Sequence, residues 1–268
     1  MRSIHYVTTA CAVLGPVLLC AVECWAQSSD SSPAREAAAA YEMHAGTETG
    51  PKLRLQAEPI LHWTNPVPEK QMHGDVFVWA DDGRPAAVLN VFQMDEGNGP
   101  KQYHELCSLA ESSLSAAGPA GSHWKPSAGQ VRMSPMSVEL PPALNPRQRL
   151  AQMRELALRF KCQKTNRKDE TQSLRLLPQP LVRYESKSHG VIDGGLFVFV
   201  EATDPEAFLL LELYADGDKT AWRFGLARMA SVQMQASLDD KQVWQVQTLP
   251  FSEYRNCPDA AYTLLPIR

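Results

Sequence analysis

Cysteine is scarce in this 268-residue chain, six in all, and no two stand in a CxxC spacing. A zinc ribbon and a thioredoxin-type dithiol are therefore excluded at sequence level. There is no GxSxG elbow and no Walker loop, and Gly97-Asn98-Gly99 lacks the third glycine and the following helix of a dinucleotide fingerprint. No cofactor is implied. His104-Glu105 is not a zincin motif, because Ser108 stands where HExxH needs its second imidazole. On a strand the two side chains would point to opposite faces and could not share a metal. Excess positive charge is also missing: the formal net charge is −4, which argues against nucleic-acid binding, since that relies on phosphate neutralisation. No repeat of fixed period is present, and beyond the N-terminus no apolar run is long enough for a transmembrane helix.

The N-terminus carries what the rest lacks. Arg2 precedes an apolar run from Val7 to Val22, and Cys24-Trp25-Ala26 offers small residues at −3 and −1 before Gln27-Ser28-Ser29. This is the plan of a secretory signal peptide, residues 1–26. Pro16 and Glu23 speak against a membrane span, and neither Cys20 nor Cys24 has the small preceding residue of a lipoprotein site. The expected address is secreted or periplasmic. Removal of 1–26 leaves Cys107, Cys162 and Cys257, which allow at most one internal disulfide, and nothing selects the pair. Residues 27–58, with Ser28-Ser29-Asp30-Ser31-Ser32-Pro33, have the composition of a disordered tether.

From 59 to 250 the chain reads as one β-rich domain, with a division near 143 as the alternative, and 251–268 as a C-terminal tail. Asp81-Asp82-Gly83 between two apolar runs predicts a hairpin in which Ala80 faces Pro85. Gln102–Leu109 reads as a strand. The clearest pattern is a meander over 194–229. Pairing Ala202 with Ala207 sets Val200, Val198 and Leu196 against Leu209, Leu211 and Leu213; pairing Tyr214 with Ala221 sets those leucines against Leu226, Phe224 and Trp222. The same register puts Glu212 opposite Arg223, read either as a cross-strand ion pair or as a charged pair flooring a pocket. Asn145 as N-cap, Pro146 at the first position, and Leu150, Met153, Ala157 and Phe160 at helical spacing predict one principal helix over Pro146–Lys161. The fold class is thus α+β, a predominantly antiparallel β-sheet with that helix packed on it.

Several segments form a series that resembles a known group. They are Trp63-Thr64-Asn65-Pro66, Gly74–Trp79 with Gly83-Arg84-Pro85, His104-Glu105, Trp124-Lys125-Pro126, Arg149-Leu150-Ala151-Gln152-Met153-Arg154, Leu174–Pro178, Asp193–Phe197 and Thr203-Asp204-Pro205-Glu206. Together, from about Leu61 to Val246, they resemble a family of uncharacterised exported bacterial proteins of the kind abundant in planctomycetes. The resemblance implies an exported protein and supplies no catalytic residue.

Candidate chemistry is thin. His189 and Asp193 flank a glycine before the central strand, where a functional loop or a simple polar turn would look alike. Glu201, Asp204 and Glu206 gather at the next turn, either as acid–base carboxylates or calcium ligands, or as turn chemistry. A hydrolase of unfamiliar type would use His189, Asp193, Glu201 or Glu212 in a cleft and requires two of them within hydrogen-bond reach. Trp63, Trp124 and Trp244 could be exposed platforms, with two of the three expected to pack inward. Between Arg147 and Lys168 eight basic residues stand against Glu155 alone, so Arg147, Arg154, Lys161 and Lys164 are either a solvated face or a patch for an anionic envelope polymer. The leading reading is a non-enzymatic extracytoplasmic module that binds an envelope polymer or a partner protein. The alternatives are the hydrolase and a structural envelope component.

Overall fold

The computed structural model describes residues 32–65, 72–95, 99–129, 131–138, 141–217 and 219–267; the expected signal peptide and the start of the tether lie outside them. A short helix α1 (Pro33–Ala39) leads into β1 (Glu42–Ala45), β2 (Arg54–Leu55) and β3 (Leu61–Asn65). The hairpin of β4 (Met72–Asp81) and β5 (Arg84–Asp95) follows, then β6 (Pro100–Ser108). Short strands β7 (Leu114–Ala117), β8 (His123–Trp124) and β9 (Ser134–Met136) precede helix α2 (Pro146–Leu158). Next come β10 (Phe160–Thr165), β11 (Thr171–Leu176) and β12 (Val182–Ser186), then the meander β13 (Val191–Glu201), β14 (Asp204–Asp216) and β15 (Lys219–Arg228). The hairpin of β16 (Gln233–Leu238) and β17 (Lys241–Val246), the turn of helix α3 (Phe251–Tyr254) and β18 (Tyr262–Ile267) complete the described chain.

These strands form three sheets, and all their pairings are antiparallel. One runs β18-β6-β5-β4-β2 with β3 also on β4; a larger one runs β17-β16-β10-β11-β13-β14-β15-β9 with β12 also on β13; the third is β1-β7-β8. Few helices and mostly antiparallel strands make the fold the mainly β, α+β type that the alternation in the sequence specifies. Among the described residues no helix is long and apolar enough to cross a membrane.

The alternation of side chains places three apolar layers. Val76, Val78, Val88 and Phe92 of the β4–β5 hairpin pack with Leu196, Val198, Val200, Phe208 and Leu210 of the meander, so the early and late sheets share one core. The opposite face of the meander, with Phe197, Phe199, Leu209, Leu211 and Trp222, is covered by Met153, Leu156 and Ala157 of α2. The far face of the β4–β5 hairpin, with Phe77, Trp79 and Leu89, is covered by α1 and the small sheet. Each fully buried Leu or Phe contributes roughly 1.5–3 kcal/mol before ordering costs.

Several expectations are corrected. The tether assigned to 27–58 is folded over its described part: Ala38, Tyr41, Met43 and Leu53 are buried, and β1 pairs with β7. Its apolar residues are too widely spaced to resemble a core segment until that distant partner is in place. The tail assigned to 251–268 contains β18, which pairs with β6 from Tyr262↔Cys107 to Ile267↔Gln102. The principal helix ends at Leu158 rather than Lys161. Phe160 and Cys162 are buried while Lys161 is exposed, an alternation of period two that shares its first member with the helical stripe. Asn145 does cap the helix, its Oδ1 accepting from the Arg147 N–H at 2.8 Å.

Two registers also differ. Glu201 pairs with Asp204 across a two-residue turn, with a bulge between Phe199 and Val200, so Val198 faces Phe208 and Phe197 faces Leu209. Ala202 takes the left-handed conformation, φ 52°, which its residue type does not advertise. In the first hairpin Ala80 faces Pro85, but a bulge at Trp79/Ala80 then sets Val78 against Val88. The pairing of Tyr214 with Ala221 and of Glu212 with Arg223 is as expected.

Candidate functional site

The four candidate catalytic residues are each engaged separately, and no hydrogen bond joins any two of them. Asp193, 4% exposed, accepts from Arg149 Nε at 2.8 Å and from Arg183 Nε and Nη2 at 2.8 and 2.6 Å. Burial would raise its carboxyl pKa, but the two guanidinium groups hold it below the ordinary range. Arg149 also donates to the Leu144 carbonyl and Arg183 to that of Pro146, so Asp193 ties the start of α2 to β13. Glu212 is fully buried and accepts from Arg84 Nε at 2.7 Å, Tyr184 OH at 2.8 Å and Arg223 Nε at 2.7 Å. Arg84 comes from β5 and Glu212 from β14, so this network bolts the two large sheets together. His189 Nε2 lies 3.1 Å from Asp81 Oδ2, and both line a cavity of about 170 Å3 with Arg84. Glu201 pairs with Lys164.

The carboxylates grouped at the β13–β14 turn do converge, and they are joined by Glu105, which the sequence offered only as part of a rejected zincin motif. Lys164 of β10 is hydrogen-bonded to both Glu201 and Glu206. Glu105 of β6 accepts from Tyr262 OH at 2.7 Å and Asn90 Nδ2 at 2.9 Å, and it lies close enough to Glu206 and Asp204 to raise both. Burial pushes Glu105 up to about 7 against its two hydrogen bonds. Burial likewise pushes Glu206 up to about 7, with Lys164 opposing. Asp204 rises to about 9, through burial and then repulsion from Glu206 and Glu105. These groups can hold and release protons near neutral pH. Among the described residues no set of three His, Cys, Asp or Glu has the geometry of a metal site. His104 points the other way from Glu105, to Tyr41 OH at 2.8 Å, as two neighbours on a strand must. Burial drops its pKa to about 4.

The expected anionic-polymer patch is also redistributed. Lys164 is turned inward, 14% exposed, and does not belong to a surface patch. Lys161 is answered by Asp240 at 2.6 Å and Arg159 by Asp239, while Arg154 Nε donates to the Pro178 carbonyl at 3.3 Å. Arg147 remains exposed. The carboxylates that neutralise Lys161 and Arg159 lie in the β16–β17 turn, far along the chain, which no local charge count includes. Trp63 and Trp124 are buried and Trp244 is half-buried. Cys107, Cys162 and Cys257 are free thiols, and burial pushes Cys107 and Cys162 up to about 12.

Two open concavities among the described residues have the size of a ligand site. One, about 700 Å3, lies where β2 and β4 approach β12 and has a mixed lining with Arg54, Asp82, Arg183 and Glu185. The other, about 550 Å3, lies at the ends of β6, β15 and β17 beneath α3, and is lined by Trp244, Val246, Leu249, Leu226, Tyr262 and Arg228 among others. Arg228 spreads its donors over three carbonyls: Nε to Ala230 and Nη2 to Val232 at 2.7 Å, Nη1 to Gln247 at 2.9 Å. Comparison with known proteins yields no matching family model, no curated relative and no similar solved structure.

Proposed function

We propose that this is an extracytoplasmic binding or interaction module with no catalytic step of its own. The observation that carries the reading is the groove of about 550 Å3 at Arg228. Its size suits a small ligand or a protruding side chain, and it combines an apolar wall with one fixed charged group, the usual composition of a ligand pocket. The interior carboxylates support the same reading from the other side. Asp193, Glu201 and Glu212 are held by Arg149, Arg183, Lys164, Arg84 and Arg223, and each such pair joins one element to another. The segment 1–26 supports the extracytoplasmic address.

Thermal unfolding of the full chain with envelope polymer fragments and small amphiphiles, compared with Val246→Trp, tests the proposal. A compound that raises the Tm of the wild type and leaves Val246→Trp unmoved supports it. Hydrolytic turnover that survives Val246→Trp and disappears in Glu206→Gln would replace it with an enzymatic reading.

A further inference from the structure

The groove at Arg228 has a chemistry narrow enough to name its ligand. We infer that it is a binding site for an apolar monocarboxylate, a single carboxylate on a hydrocarbon chain or ring; this rests on the binding-module reading above. Arginine carries five N–H donors, and Arg228 commits three to carbonyls of Ala230, Gln247 and Val232. Carbonyl partners fix the plane of the guanidinium but leave its charge in place, and among the described residues no carboxylate pairs with it. A planar fork with unused N–H donors is the geometry that receives a carboxylate. Burial lowers the Arg228 pKa to about 10, with Tyr262 and Cys107 opposing, so the group is still a cation at neutral pH.

The rest of the groove sets the other half of the ligand. Trp244, Val246 and Leu249 are half-buried and form its open wall, while Leu226 and Tyr262 close its floor. Two carboxylates, Glu253 and Asp259, also line it, but both are exposed. Water and salt screen them beyond about a Debye length of ~8–10 Å, and their sign disfavours polyanions. One half-buried cation, an apolar wall and an acidic rim together select one negative charge on an apolar body.

Titration calorimetry of the full chain with decanoate, decyltrimethylammonium and neutral decyl maltoside, each below its micellar concentration, tests this. Decanoate is expected to bind one to one and at least tenfold more tightly than decyltrimethylammonium. Val246→Trp should abolish that binding, and Arg228→Gln should weaken it at least tenfold and erase the preference for the anion. Because Arg228 also ties two loops, Arg228→Gln is informative only if folded by circular dichroism. The wild-type comparison of anion with cation stands without it. If the cationic or neutral probe binds as tightly as decanoate, and Val246→Trp still blocks it, the carboxylate assignment is wrong and the groove remains a binding site. If no probe binds in a manner sensitive to Val246→Trp, the ligand class and the groove reading fall together.

Discussion

Replacing Lys164 by methionine would strand a buried carboxylate, and the cost should depend on pH in a defined way. Glu206 is 4% exposed and Lys164 is its cationic hydrogen-bond partner, so at pH 8 the variant must either bury an unpaired charge or hold a proton there. Breaking a buried pair in this way costs about 3–5 kcal/mol. At pH 5 the situation differs. The Glu206 carboxyl titrates near 7 even with Lys164 present, so it is already neutral in the wild type and little is lost on that side. Glu201 still pairs with Lys164 at pH 5, because its pKa is held below the ordinary value: burial opposes this, but the Lys164 hydrogen bond prevails. Glu201 is 33% exposed, and that pair contributes only about 0–1 kcal/mol. The destabilisation should therefore fall from about 3–5 kcal/mol at pH 8 to about 1 kcal/mol at pH 5. Urea unfolding followed by tryptophan fluorescence at both pH values measures it. The double variant Lys164→Met with Glu206→Gln should lose most of the pH dependence. An equal loss at pH 5 and pH 8 would show that Lys164 acts by packing, and the argument from charge would be refuted.

The wild type should itself lose stability as pH rises from about 4, most of it by about 7 and the remainder, from Asp204, by about 9. Folded Glu105, Glu206 and Asp204 have raised pKa values of about 7, 7 and 9, so the stability they confer is fully present below their unfolded values and lost as pH passes through the folded ones. His104, depressed to about 4, acts oppositely, its contribution being lost as pH falls from 6.5 through 4. Glu105→Gln should flatten the fall in a urea-midpoint profile between about pH 4 and about pH 7, and an unchanged slope there would count against the assignment. Gly83→Ala should destabilise by about 2 kcal/mol or more, since φ is +86° and a Cβ would stand 2.4 Å from the Glu185 carbonyl oxygen; a midpoint within error of wild type would contradict that backbone contact. Met153→Ala should cost about 2–5 kcal/mol, whereas Leu158→Ala, at 62% exposure at the end of the same helix, should stay within about 0.5 kcal/mol. Equal losses in denaturant titrations would mean that α2 packs by a different face.

What was legible in the sequence and what was not divide along the range of the forces involved. Alternation alone gives each meander strand two faces, and Leu209 and Trp222 share one as it puts them, but Phe197 joins that face only through the bulge: the unbulged register sets Leu196, Val198 and Val200 there instead. Which residue lies opposite which depends on bulges at Phe199/Val200 and Trp79/Ala80, where one inserted residue shifts every later partner. Ala202 and the Trp79–Ala80 step carry no local mark of these. The pairing of β1 with β7 and of β18 with β6 was invisible for a related reason: β1 is short with few apolar residues, β18 carries Pro266 within its apolar run, and each becomes a strand because a distant edge offers it hydrogen bonds. The interior charges were half legible. Glu212 stands inside Leu209-Leu210-Leu211-Glu212-Leu213, and a carboxylate in a buried apolar run must meet cations or hold a proton. Its cross-strand partner Arg223 follows from register, but Arg84 is 128 residues away and is fixed only by the packing of two sheets. Glu105 and Glu206 obey the same rule: each sits in a strand whose neighbours are buried, a stronger signal than the zincin spacing that brought up Glu105 or the turn grouping that brought up Glu206. The groove at Arg228 left a fainter trace still, an arginine closing the apolar run Phe224-Gly225-Leu226-Ala227. Such an arginine needs either a carboxylate or a set of carbonyls. Only the folded loops reveal that it has carbonyls, and hence that its charge is left for something outside the chain to answer.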